Sequence, residues 1–64
     1  MVKLTLQKGE ATHDWFVHDP RAVRWSAKRV YNHFYTKVSE TYGKKMIILS
    51  IVDDETGKVL WTRN

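Results

Sequence analysis

The stretch from Asp19-Pro20 to Gly43 constrains the fold more than any other part of the chain. Asp at an N-cap accepts an orphan backbone N–H and complements the helix dipole. Pro fits the first helical position, where its missing N–H would have been unpaired anyway. Gly43 offers the left-handed residue that closes a helix. The spacing predicts one helix from Pro20 to Tyr42, about 22 residues and about 33 Å long. On a helical wheel Val23, Ala27, Val30, Tyr31, Phe34, Val38 and Tyr42 fall on one stripe, so the helix is amphipathic and needs an apolar partner surface.

The flanks can supply that surface only as a sheet. Val2, Leu4 and Leu6 alternate with Lys3, Thr5 and Gln7, the pattern of a half-buried strand, and Lys8-Gly9-Glu10 ends it. Thr12 to His18 is rich in β-formers and reads as a second strand or an extended loop, with Trp15 and Val17 on one face. Met46 to Val52 is apolar on both faces, which marks an interior strand. Asp54-Glu55-Thr56-Gly57 reads as a type I turn that returns the chain along Lys58 to Arg63.

Pairing Asp54 with Lys58 sets Trp61 across from Ile51 and Arg63 across from Leu49. Ile47, Leu49, Ile51, Val59 and Trp61 then share the face assigned to the helix. Met46, Ile48, Val52 and Leu60 form the opposite face, and one residue of slip would scramble the two sets. The expectation is an α+β fold of order β(β)αββ: one long amphipathic helix on an antiparallel sheet of three or four strands.

With 64 residues this is a single domain, 1–64, and its core is marginal, since a chain of this size buries only about 60% of the surface it exposes unfolded. It has no cysteine, so disulfides, thiolate metal sites and cysteine nucleophiles are excluded. The first residues lack the apolar core of a secretory signal, and the longest apolar run, Met46 to Leu49, is strand-sized. The chain reads as a short, complete cytoplasmic frame with no membrane partner. Such frames are common in mobile elements.

The net charge is +4, and its excess is central. Residues 21–45 hold Arg21, Arg24, Lys28, Arg29, Lys37, Lys44 and Lys45 against Glu40 alone, a net of +6, while residues 1–20 and 46–64 each carry −1. Such a field attracts anions, and nucleic acid is the commonest polyanion. The helix face opposite the core stripe carries Arg21, Arg24, Trp25, Lys28, Arg29, Asn32, Tyr35 and Thr36. Cations there would space and orient phosphates, Trp25 would offer a base a stacking platform, and Asn32 would read an adenine edge. The plainer reading of the same residues is a solvated helix face with Trp25 folded sideways over residues 12–18.

Other constellations carry less. His13-Asp14 and His18-Asp19 are five apart, which places the two imidazoles on opposite faces of a strand. His33 lies at the edge of the core stripe. Asp53-Asp54-Glu55 is turn chemistry without the alternation of a calcium loop. The isolated glycines form no phosphate-binding loop. No metal, no cofactor and no catalytic activity is expected.

Two functions of different class remain. One is a small non-enzymatic binding module whose basic helix face (Arg21, Arg24, Trp25, Lys28, Arg29, Asn32, Tyr35) meets nucleic acid or a nucleoprotein machine. The other is a protein-binding regulator or inhibitor that docks through an apolar sheet face of Met46, Ile48, Val52 and Leu60, or sets its basic face against an anionic protein surface. A homodimer through the same apolar sheet face would also cover it.

Overall fold

The computed structural model describes residues 1–63; Asn64, the last residue of the expected domain, lies outside them. The fold is α+β. Strands β1 (Val2–Lys8) and β2 (Ala11–Val17) precede a 3-10 turn (Pro20–Arg24) and helix α1 (Ala27–Tyr42); β3 (Ile47–Asp53) and β4 (Val59–Thr62) follow. The strands form one antiparallel four-stranded sheet in the order β2-β1-β3-β4. Residues 12–18 thus take the strand alternative, over Ala11–Val17.

The β1–β2 connection is a two-residue turn between the paired Lys8 and Ala11. Gly9 takes a φ of +63° and no other residue of the turn is positive, the type II′ pattern whose twist matches a hairpin. Along β1 the alternation holds: Val2, Leu4 and Leu6 are buried and Lys3, Thr5 and Gln7 are half-buried. Val30, Phe34 and Val38 of α1, each four residues apart, join them in the core with Ala22, Ile48, Ile51 and Leu60.

The helix differs from the expected one at its start. Pro20–Arg24 is a 3-10 turn, Trp25 and Ser26 are extended, and α1 begins at Ala27. The Ser26 hydroxyl accepts the backbone N–H of Arg29 at 3.3 Å, and that is the N-cap. Asp19 caps nothing; its carboxylate accepts from His33 Nε2 at 3.0 Å. The break changes the core stripe: Ala22 is buried where Ala27 was expected, and Ala27 is exposed. At the other end Gly43 donates its N–H to the Ser39 carbonyl at 3.0 Å and ends the helix; its φ of +86° is positive as expected, but its ψ of 178° makes it extended and not left-handed helical. Ser26→Ala is expected to cost about 1 kcal/mol, read as a lower midpoint in thermal unfolding with the binding surface intact.

The β3–β4 hairpin keeps the expected pairs by a different route. Asp53, not Asp54, pairs with Lys58, and its carboxylate accepts the Glu55 N–H at 3.3 Å and the Thr56 hydroxyl at 2.8 Å. The loop is therefore one residue longer than expected. A bulge in β4 then absorbs a residue: Val52 pairs with Val59 but Ile51 with Trp61, which leaves Leu60 extra. Trp61 still stands across from Ile51, and the Arg63 N–H donates to the Leu49 carbonyl at 3.0 Å.

The two expected sheet faces do not survive the bulges. A second one leaves Leu49 extra in β3, because Thr5 pairs with Ser50 and Leu6 with Ile48. Ile48 and Ile51 both turn inward as a result, and Leu60 is buried as well. Ile48 and Leu60 are thus core residues and not an open interface, and Met46 packs against that core. Val52 alone of that set lies in an outward-facing row, Phe16–Lys3–Val52–Val59. Ile47 and Val59, assigned to the helix side, are 44% and 56% exposed.

Candidate functional site

Arg21 and Arg24 sit on the 3-10 turn; Lys28 and Arg29 sit in the first turn of α1, and all four are exposed. The ion pairs among the described residues are Met1 N-terminus with Glu55 at 3.6 Å and His33 with Asp19 at 3.0 Å. Neither involves a lysine or an arginine. The first turn of α1 holds no acidic side chain. Cations at the positive end of a helix dipole are unfavourable, by about 0.3–1 kcal/mol each where charge and dipole act at the surface. Lys28 and Arg29 therefore cost helix stability, and no carboxylate among the described residues relieves them.

The two cationic segments are tied together. Asp19 accepts from His33 on α1. The His33 ring meets Trp25 edge-on at 4.9 Å, and the Arg29 guanidinium lies 4.5 Å from the Trp25 ring centre. This chain of contacts fixes Arg21 and Arg24 relative to Lys28 and Arg29. It also changes the role expected of Trp25. Trp25 is half-buried and packed against the core, because the break at Trp25-Ser26 turns it off the polar arc. Its ring supports Arg29 and is not an open platform.

Asn32 and Tyr35 are exposed, at four and seven residues beyond Lys28, so the three share a helix edge. Tyr35 stacks on Tyr31 with ring centres 5.8 Å apart. Tyr31 in turn lies 4.4 Å from Trp61 of β4, and the Arg63 guanidinium is 5.5 Å from the Trp61 ring. Arg63 is held there by a bond from its Nε to the Ile48 carbonyl at 2.9 Å. Lys58 reaches the Val23 carbonyl at 3.4 Å, which brings the hairpin against the 3-10 turn. Lys58 and Arg63 lie outside the site expected from the sequence, where Tyr31 and Trp61 are expected as core. The i, i+4 spacing of Tyr31 and Tyr35 was the available signal.

His13 and Asp14 are engaged elsewhere. His13 Nε2 bonds the Tyr42 hydroxyl at 3.2 Å, and the Thr5 hydroxyl donates to Asp14 at 3.2 Å. An open cleft of about 120 Å³ between Val2, Asp19, Pro20, Val23 and Asp53 is smaller than the roughly 300–1,000 Å³ of a small-molecule site. The carboxylates of Asp19 and Asp53 there already accept hydrogen bonds. Among the described residues no helix is long and apolar enough to cross a membrane. No protein-family model, no curated protein and no solved structure matches this chain.

Proposed function

We propose that this protein is a small non-catalytic module that binds nucleic acid, or a nucleoprotein machine through its nucleic acid, with the surface formed by Arg21, Arg24, Lys28 and Arg29. One observation carries the reading: four exposed cations around the start of α1 have no carboxylate within ion-pair distance among the described residues. Phosphates would satisfy all four and would also relieve the unfavourable charge at the helix terminus. The Trp25 ring, itself seated on His33, holds the Arg29 guanidinium in place before a ligand arrives, which lowers the entropy lost on binding at that contact.

Titration with labelled DNA and RNA across a range of salt tests this. Four phosphate contacts give a log–log slope of roughly −3 to −4. A flat titration at low salt, for single strands and duplexes alike, would remove the proposal.

A second reading rests on the open sheet face. Phe16 is 47% exposed and shares a cross-strand row with Val52 and Val59, with Ile47 further along the same face. Such a face suits a protein partner, as a regulator or inhibitor requires. It becomes the better reading if no nucleic-acid probe binds more tightly than the nonspecific range of about 10⁻⁴–10⁻⁶ M at physiological salt.

A further inference from the structure

We infer that the ring column Tyr35–Tyr31–Trp61 is a base-stacking platform, which makes single-stranded nucleic acid the substrate class of the surface proposed above; the inference rests on that proposal. The column runs along the outer edge of the molecule, where α1 meets the edge strand β4. Tyr35 stacks on Tyr31 at 27° between ring planes, and Tyr31 is tilted by 35° against Trp61. The other ring contacts among the described residues are edge-on, between 68° and 87°: His13–Tyr42, Trp15–Tyr42, Trp25–His33 and His33–Phe34. Edge-on contacts interlock rings in a core. A stacked pair presents faces, and the outer face of Tyr35 is what the next ring can stack on.

Tyr35 ends the column. It is 43% exposed, and Tyr31 is its ring partner. Tyr31 and Trp61 are half-buried and hold the column against the core, so Tyr35 adds reach and little burial. Cations stand at Trp61 and one turn before Tyr31. Lys28 lies on the same helix edge as Tyr31 and Tyr35, at spacings of three and then four, and Arg63 stands over Trp61. β4 contains no acidic residue, and the acid of α1, Glu40, is five residues past Tyr35 and off that edge. Aromatic faces beside cations that have no ion-pair partner among the described residues are what a single strand requires: phosphates on the cations and bases on the rings. A duplex cannot use the column, because its bases are already stacked on one another.

The test compares a labelled oligothymidylate with a duplex of the same length, using wild type, Tyr35→Ala and Tyr35→Phe. Circular dichroism confirms that each variant is folded. The single strand is expected to bind more tightly than the duplex. Tyr35→Ala should weaken single-strand binding roughly fivefold to a hundredfold, from the loss of one stacked base. Tyr35→Phe should retain it, and the salt slope of both variants should match wild type, because the phosphate contacts remain. Equal binding of single strand and duplex, with Tyr35→Ala without effect on either, would overturn the column's role and leave the phosphate-binding proposal standing. Binding of neither nucleic acid, with polyglutamate captured instead, would overturn both.

Discussion

Phe34→Ala is expected to leave most of the chain unfolded at room temperature. Phe34 is fully buried in the middle of α1, with Val30 one turn before it and Val38 one turn after. It is the largest of the fully buried side chains. Truncating a buried phenylalanine removes its transfer free energy and leaves a cavity, about 3–5 kcal/mol in total. A domain of this length is held by a comparable amount, on the order of 0.05–0.15 kcal/mol per residue. One helix covers one sheet face, so no second layer can collapse into the gap. The measurement is far-UV circular dichroism with thermal unfolding. A cooperative transition within a few degrees of wild type would show that α1 does not depend on Phe34 for its seat on the sheet. Trp61→Ala serves as a milder comparison, because Trp61 is half-buried and leans on Tyr31.

Where the sequence was informative, the cause was local. The alternation in β1 and the apolar i, i+4 positions Val30, Phe34 and Val38 depend only on chain periodicity, and both hold. The helix start was misread because two local signals compete. Asp19-Pro20 is the stronger pair on paper, and it does open a helical turn, but Asp19 is taken by His33, fourteen residues away. Ser26 lacks the glutamate three residues later that marks a capping box, so its role as the cap is visible only in the fold.

The bulges at Leu49 and Leu60 are the clearest loss. Alternation cannot announce an extra residue, since its position is set by how β3 must match β1 on one side and β4 on the other. The longer loop at Asp53 and the bulge at Leu60 cancel, so the pairing of Ile51 with Trp61 survived while the face assignments of Ile48 and Leu60 did not. The site divides along the same line. The cations are a property of composition and were legible. The ring column depends on where β4 lies against α1, and that is tertiary.

The double variant Arg24→Glu with Lys28→Glu is expected to abolish nucleic-acid binding while the protein stays folded. The two changes take the net charge from +4 to zero, two units for each substitution. Both side chains are exposed and neither has an ion-pair partner among the described residues, so the reversal breaks no contact that holds the fold. Glutamate at position 28 falls in the first turn of α1, where a negative charge is favoured by about 0.3–1 kcal/mol. The unfolding midpoint should therefore hold or rise. Binding loses two of four phosphate contacts and gains two repulsive charges, so any residual salt slope should fall to roughly −2 or less. Lys44→Glu with Lys45→Glu is the control. It changes the net charge by the same amount in the loop after α1, away from the 3-10 turn. If the site is local, the control weakens binding only through the long-range field, an effect that shrinks as salt shortens the screening length to about 8 Å at 0.15 M. Equal losses in the two variants at that salt would mean that net charge alone attracts the polyanion and that Arg24 and Lys28 make no specific contact.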